Sequence, residues 1–226
     1  MMKNKSLIIT LITLLSIIVI LLTIFLILGI SGKFTNIKTS NRKIILDQTY
    51  EPEHVEKIDI VSEVGDVKIF ETSENNIKVT IYGKSDKNLK NINISNKDKI
   101  LKFEILGMSN KIVNFGFSPN DIVIYAPKEV INEIKIKSDY GDVEIGNFEN
   151  TLIDLEQDCG DIDIETVKNT TIKSSYGDVK IKSILNKCNI DLSCGDVKIE
   201  NLQINENSKI KNDLGNIKIC LLYTSP

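Results

Sequence analysis

The sequence predicts an all-β chain: a β-helix-like solenoid of about 18-residue coils, preceded by one N-terminal transmembrane helix. Three observations carry this. A short phrase, Gly-Asp-[Val/Ile]-polar-Ile, recurs through the chain. Polar and apolar residues alternate strictly around it. A long uncharged apolar run precedes it.

The apolar run comes first. Residues 1–6 form a short basic tail with Lys3 and Lys5, and Leu7 to Ile30 follows with no charged residue. That length spans a bilayer as a helix. Gly29-Ile30-Ser31 is a poor cleavage site, which favours an uncleaved signal anchor. Lys33, Lys38, Arg42 and Lys43 follow the span, so the positive-inside rule alone does not favour export. The short basic leader before an N-terminal apolar segment has the signal-anchor shape, and it places the C-terminal part outside a single-pass membrane protein.

Residues 31–57 read as a linker, with Tyr50-Glu51-Pro52-Glu53-His54 as the tether to the β-domain. Residues 58–133 keep β character without the regular period. Ile77 to Ile81, Ile92 to Ile94, Leu101 to Ile105 and Ile122 to Tyr125 alternate, and the stretch is expected to cap the solenoid. Ala126-Pro127-Lys128 makes the turn into the regular coils.

Residues 134–219 hold those coils. The turns are Gly65-Asp66, Gly141-Asp142, Gly160-Asp161, Gly177-Asp178, Gly195-Asp196 and Gly215-Asn216, the first of them upstream of the regular region. The last five glycines are 19, 17, 18 and 20 residues apart, a period of the kind that signals stacked repeats. Counting from each Gly, positions +2 and +4 are Val or Ile, and +3 is polar. Position −5 is Ile60, Ile136, Leu155, Ile172, Ile190 or Ile210. Each coil therefore holds two short strands, with one turn at Gly-Asp and a second near Asn147, Lys168-Asn169, Asn186-Lys187 and Asn205 to Asn207. Glycine supplies a positive φ without a Cβ clash, and Asp caps its turn by bonding nearby backbone. The Leu-x-x-Leu pattern of leucine-rich repeats is absent, as is the Gly-Gly-x-Gly-x-Asp of calcium β-rolls.

Position −1 reads Val64, Tyr140, Cys159, Tyr176, Cys194 and Leu214. Each bulky Tyr is expected to pack over its small neighbour. Cys159 and Cys194 fall two coils apart, roughly 9.6 Å by the spacing of paired strands, which is beyond disulfide reach. Residues 220–226 break the pattern and read as an atypical, truncated or artefactual end.

Composition excludes several functions. Without Lys3 and Lys5 the balance is 26 bases to 31 acids, with Arg42 the only arginine and no tryptophan, which argues against nucleic-acid binding. The four cysteines form no CxxC pair, and His54 is the only histidine, so neither a zinc site nor a Ser-His-Asp set is supported. The candidate chemical cluster is Asp142, Glu144, Asp161 and Asp163, which the register turns outward on adjacent coils. It offers carboxylates for weak calcium binding or for acid/base work. As turn and surface residues they need neither, and no cofactor is expected.

The order of these features resembles the bacterial DUF4097 family of candidate adhesins. The features are the anchor, an early Gly65-Asp66-Val67-Lys68-Ile69 strand, the irregular β section, Ile122-Val123-Ile124-Tyr125-Ala126-Pro127-Lys128 and the serial coils. The resemblance covers roughly Ile58 to Ile219. It implies a β-solenoid on the cell envelope and supplies no catalytic residues. Two functions follow from it. One is a surface for adhesion or protein interaction, with an envelope protein or surface ligand as partner. The other is an envelope-stress sensing role on a membrane partner. Open solenoid edges also favour self-association.

Overall fold

A computed structural model describes residues 42–84, 91–106 and 120–221. They belong to a compact unit beginning at Arg42. The expected span at 7–30 lies outside the described residues. Among the described residues no helix is long and apolar enough to cross a membrane.

The strands are β1 (Lys43–Tyr50), β2 (Lys57–Val64), β3 (Val67–Glu71), β4 (Ile77–Gly83), β5 (Ile92–Lys97), β6 (Ile100–Ile105) and β7 (Asp121–Ala126). They continue as β8 (Glu133–Tyr140), β9 (Val143–Cys159), β10 (Ile162–Tyr176), β11 (Val179–Cys194), β12 (Val197–Leu202), β13 (Lys209–Leu214) and β14 (Ile217–Leu221).

Their pairings form two ladders. One runs β1-β4-β7-β3, then the first halves of β9, β10 and β11, then β12 and β14. The other runs β5-β6-β2-β8, then the second halves of β9, β10 and β11, then β13. Every pairing in the coils is parallel, and on each side of the second bend like positions stack: Ile162 pairs with Val143 on one side and Val179 on the other. This is the predicted coil. Ile145, Ile164, Ile181 and Ile199 from one ladder share a single core with Leu155, Ile172 and Ile190 from the other.

In the last coil the chain leaves the strand between Leu202 and Lys209 and bends at Asn205 and Glu206, as expected, whereas in the other three coils the second bend is not a tight turn. β9, β10 and β11 run through it as extended chain, with a register shift between Val167 and Asn169. Phe148, Val167, Ile184 and Leu202, all at position +7, fill that corner from inside. Their bulk lets the strand bend without exposing backbone.

Two expectations are corrected. Residues 43–57 are not a free tether: β1 pairs antiparallel with β4, and Pro52 and Val55 are buried. β1 thereby covers an edge that β4 would otherwise present to solvent. Cys220 and Leu221 continue the last coil, where Leu221 pairs with Leu202; residues 222–226 lie outside the described residues. Spatial order differs from chain order: the strands β2 and β3 pair with β6 and β7 on one side and with β8 and β9 on the other.

Candidate functional site at the glycine-aspartate corner

The Gly-Asp turns stack into one straight corner. All six glycines hold φ between +131° and +141°. A Cβ on Gly160 would lie 2.1 Å from the carbonyl oxygen of Gly141, and one on Gly177 would lie 1.9 Å from that of Gly160. Conformation and space both demand glycine here.

The aspartates do something the sequence reading missed. Each accepts a hydrogen bond not from its own turn but from the backbone N–H at the same position in the next coil. Asp142 donates its N–H to Asp66 Oδ1 at 3.1 Å, Asp161 to Asp142 at 2.9 Å and Asp178 to Asp161 at 2.8 Å. Asp196 donates to Asp178 at 2.9 Å and Asn216 to Asp196 at 2.8 Å. The ladder begins one coil earlier, where Asp66 N–H donates to Asp121 Oδ1 at 3.0 Å and Asp121 pairs with Arg42. Asn120-Asp121-Ile122-Val123-Ile124 is therefore a seventh, degenerate copy of the turn. Its signal was the Asp-Ile-x-Ile phrase, hidden by Asn in the Gly position.

Position −1 corrects the packing expectation. Tyr140 and Tyr176 are 58% and 62% exposed, and Leu214 is 68% exposed. Cys159 is exposed and Cys194 half-buried. Strand alternation would turn these side chains inward. The glycine that follows swings the backbone around the corner and turns them out. Register places Tyr176 between Cys159 and Cys194, and all four cysteines are free thiols. Burial of Cys188 in the core pushes its thiol pKa up to about 12.

The predicted cluster is brought together on the surface. Asp142, Glu144, Asp161 and Asp163 line an open groove of about 300 Å³ with Asp66, Lys68 and Lys180. Two of the four carboxylates are engaged in the ladder. Glu144 accepts a hydrogen bond from Lys68 at 2.6 Å. That bond raises the Lys68 ammonium pKa, helped by the charges of Glu144, Asp66 and Asp142 and opposed by partial burial. Among the described residues, no three His, Cys, Asp or Glu side chains gather in a geometry that holds a metal ion. His54, in a short 3-10 turn at Pro52–His54, is remote in sequence from the corner and exposed.

The Toastrack DUF4097 family model matches residues 55–223. The chain belongs to the Toastrack DUF4097 family. Two solved structures are among those similar to this chain. A candidate cell adhesion protein from Clostridium sporogenes is 14% identical, with a TM-score of 0.54 over 80% of this chain and 100% of that one. A candidate adhesin from Bacteroides fragilis is 19% identical, with a TM-score of 0.42 over 77% and 96%. No curated protein matches the chain. At such identity the first likeness shows a shared fold alone, and the family model names that fold Toastrack.

Proposed function

We propose that this DUF4097 protein is a non-enzymatic component of the bacterial cell envelope. Residues 7–30 hold it in the membrane, and its coils lie outside, presenting the glycine-aspartate corner for adhesion or protein interaction. The observation that carries this is the corner itself. Hydrogen bonds from coil to coil fix its backbone, while large apolar side chains of the same turns face solvent. A rigid, periodic, outward-facing row suits recognition of an extended partner, as pre-ordering lowers the entropic cost of binding. The open groove over Asp142 and Asp161 suits contact better than enclosed chemistry, which excludes water from its site. The Clostridium sporogenes neighbour, described as a candidate cell adhesion protein, agrees with this reading.

The test is cross-linking of intact cells with a membrane-impermeant reagent, followed by mass spectrometry of the joined partners. Links to wall or matrix components are expected. Links confined to integral membrane or two-component proteins would favour the envelope-sensing role instead. Links that form only after lysis would overturn the exported orientation, and both roles with it.

A further inference from the structure

The corner carries a charge pattern that the repeat motif alone does not require. From position −2 to +1 the six coils read Glu-Val-Gly-Asp, Asp-Tyr-Gly-Asp, Asp-Cys-Gly-Asp, Ser-Tyr-Gly-Asp, Ser-Cys-Gly-Asp and Asp-Leu-Gly-Asn. These turns contain nine carboxylates and no lysine or arginine, and the flanking bases, Lys137, Lys173 and Lys180 among them, stand outside them, two residues from the turn. The apolar column of Tyr140, Cys159, Tyr176 and Cys194 runs between two acidic columns. Asp139 and Asp158 stand on one side, and the Asp142, Asp161, Asp178 and Asp196 ladder on the other.

We propose that this corner binds a linear β-1,4-linked glycan bearing free amino groups, laid along the solenoid axis with sugar rings stacked on Tyr140 and Tyr176. The proposal rests on the adhesive reading above and names its ligand class.

Three features select this occupant. The first is charge. Carboxylates on both sides of an aromatic column complement a row of ammonium groups, and an exposed tyrosine ring adds cation–π attraction. The second is spacing. Neighbouring coils lie about 4.8 Å apart, close to the length of one pyranose in an extended β-linked chain. An extended basic peptide repeats its same-face side chains at about 6.6 Å, and so falls out of step with the coils. The third is phase. Tyr140 and Tyr176 both pair with Cys159, so they stand two coils apart. Successive rings of a β-1,4-linked chain face opposite ways, and every second ring presents the same face. Two-coil tyrosine spacing therefore matches a two-sugar repeat. Cys159, small and exposed, puts nothing bulky between the two rings.

Asp213 is already paired with Lys211 at 2.8 Å, and Glu144 with Lys68 at 2.6 Å. The binding segment is therefore the central one, from Tyr140 to Asp178.

The experiment uses the full chain in detergent micelles and three hexamers: β-1,4-linked glucosamine, β-1,4-linked N-acetylglucosamine and lysine. Binding is measured by calorimetry at low and at physiological salt. The glucosamine hexamer is expected to bind and to weaken as salt screens the carboxylates. Tyr140→Ala with Tyr176→Ala is expected to lower its affinity about tenfold, the sum of two exposed cation–π contacts. Asp158→Asn lowers it further and leaves the coil ladder intact. Both tyrosines are exposed, so folding of the double variant is confirmed by an unchanged melting curve. Equal binding of the acetylated hexamer would overturn the role of charge. Equal binding of the lysine hexamer, insensitive to the tyrosine changes, would reduce the corner to a nonspecific acidic surface and overturn the proposal. No binding by any hexamer would overturn it too. Adhesion of intact cells carrying the double tyrosine variant separates the two claims. If adhesion persists while glucosamine binding is lost or absent, this ligand is not the adhesive one and the adhesive reading stands. If no surface partner is found for wild type, that reading fails by itself.

Discussion

Gly177→Ala tests the stacked turn directly. Gly177 holds φ +131°, and a Cβ there would sit 1.9 Å from the Gly160 carbonyl oxygen and 2.6 Å from its carbon. A side chain at such a φ costs on the order of 1 to 3 kcal/mol. The clash is with backbone, so it is relieved only by parting the two coils. Parting them strains three hydrogen bonds: Gly160 N–H to Tyr176 O at 3.0 Å, Ile162 N–H to Asp178 O at 2.8 Å, and Asp178 N–H to Asp161 Oδ1 at 2.8 Å. At about 1 kcal/mol each they add about 3 kcal/mol. Reduced freedom of the unfolded chain returns about 0.4 to 1 kcal/mol. The net loss is about 3 to 5.5 kcal/mol, a large part of the roughly 5 to 15 kcal/mol that holds an ordinary domain. Gly146→Ala is the control. Gly146 lacks the positive φ, and its Cβ would meet chiefly the Glu71 carboxylate oxygen at 2.2 Å, the far end of a flexible side chain. Urea unfolding followed by far-ultraviolet circular dichroism reads both. The Gly177 variant should lose about 2 M in midpoint, from a slope of about 2 kcal/mol per molar urea, while the Gly146 variant shifts little. Equal midpoints would refute the argument that the corner admits only glycine.

Other consequences follow from the same geometry. Asp161→Ala strips the acceptor from the Asp178 N–H and should cost about 1 to 2 kcal/mol in a melting experiment. Asp161→Asn keeps an acceptor oxygen for the Asp178 N–H and should melt close to wild type. Phe148→Ala empties a fully buried site and should cost about 3 to 5 kcal/mol in urea. Exposed Cys159 and Cys220 should react with a maleimide at neutral pH while buried Cys188 reacts only on unfolding. The raised Cys188 pKa sets a sign for pH dependence: its contribution is complete below the unfolded thiol value of 9.0 and is lost as pH rises from there toward about 12. Cys188→Ala should remove that alkaline loss.

Much of the fold was legible because the repeat states its register outright. Val or Ile at +2 and +4, with a polar residue between, fixes which face of each strand is buried, and the structure buries Val143, Ile145, Ile162 and Ile164 accordingly. The carboxylate cluster was legible for the same reason, since position +3 must face outward. What escaped the sequence depends on neighbours far along the chain. β1 alternates poorly, and only the exposed side of β4 explains its place. Asn120-Asp121 hid because Asn replaced the signature glycine. The direction of the Asp bonds could not be read from one turn, because donor and acceptor lie 17 to 20 residues apart within the regular coils. The exposure of Tyr140 and Tyr176 was not legible, because alternation ends at the corner where the following glycine turns the backbone.

Amide hydrogen exchange by nuclear magnetic resonance probes the coil-to-coil ladder most directly. The backbone N–H groups of Asp142, Asp161, Asp178 and Asp196 belong to turn residues at the protein surface, where an open turn would exchange freely. Bonded to the carboxylate of the preceding coil, they should exchange as slowly as neighbouring strand amides, and Asp161→Ala should release Asp178 selectively. Free exchange at all four positions would contradict the ladder, and with it the rigid corner on which the functional reading stands.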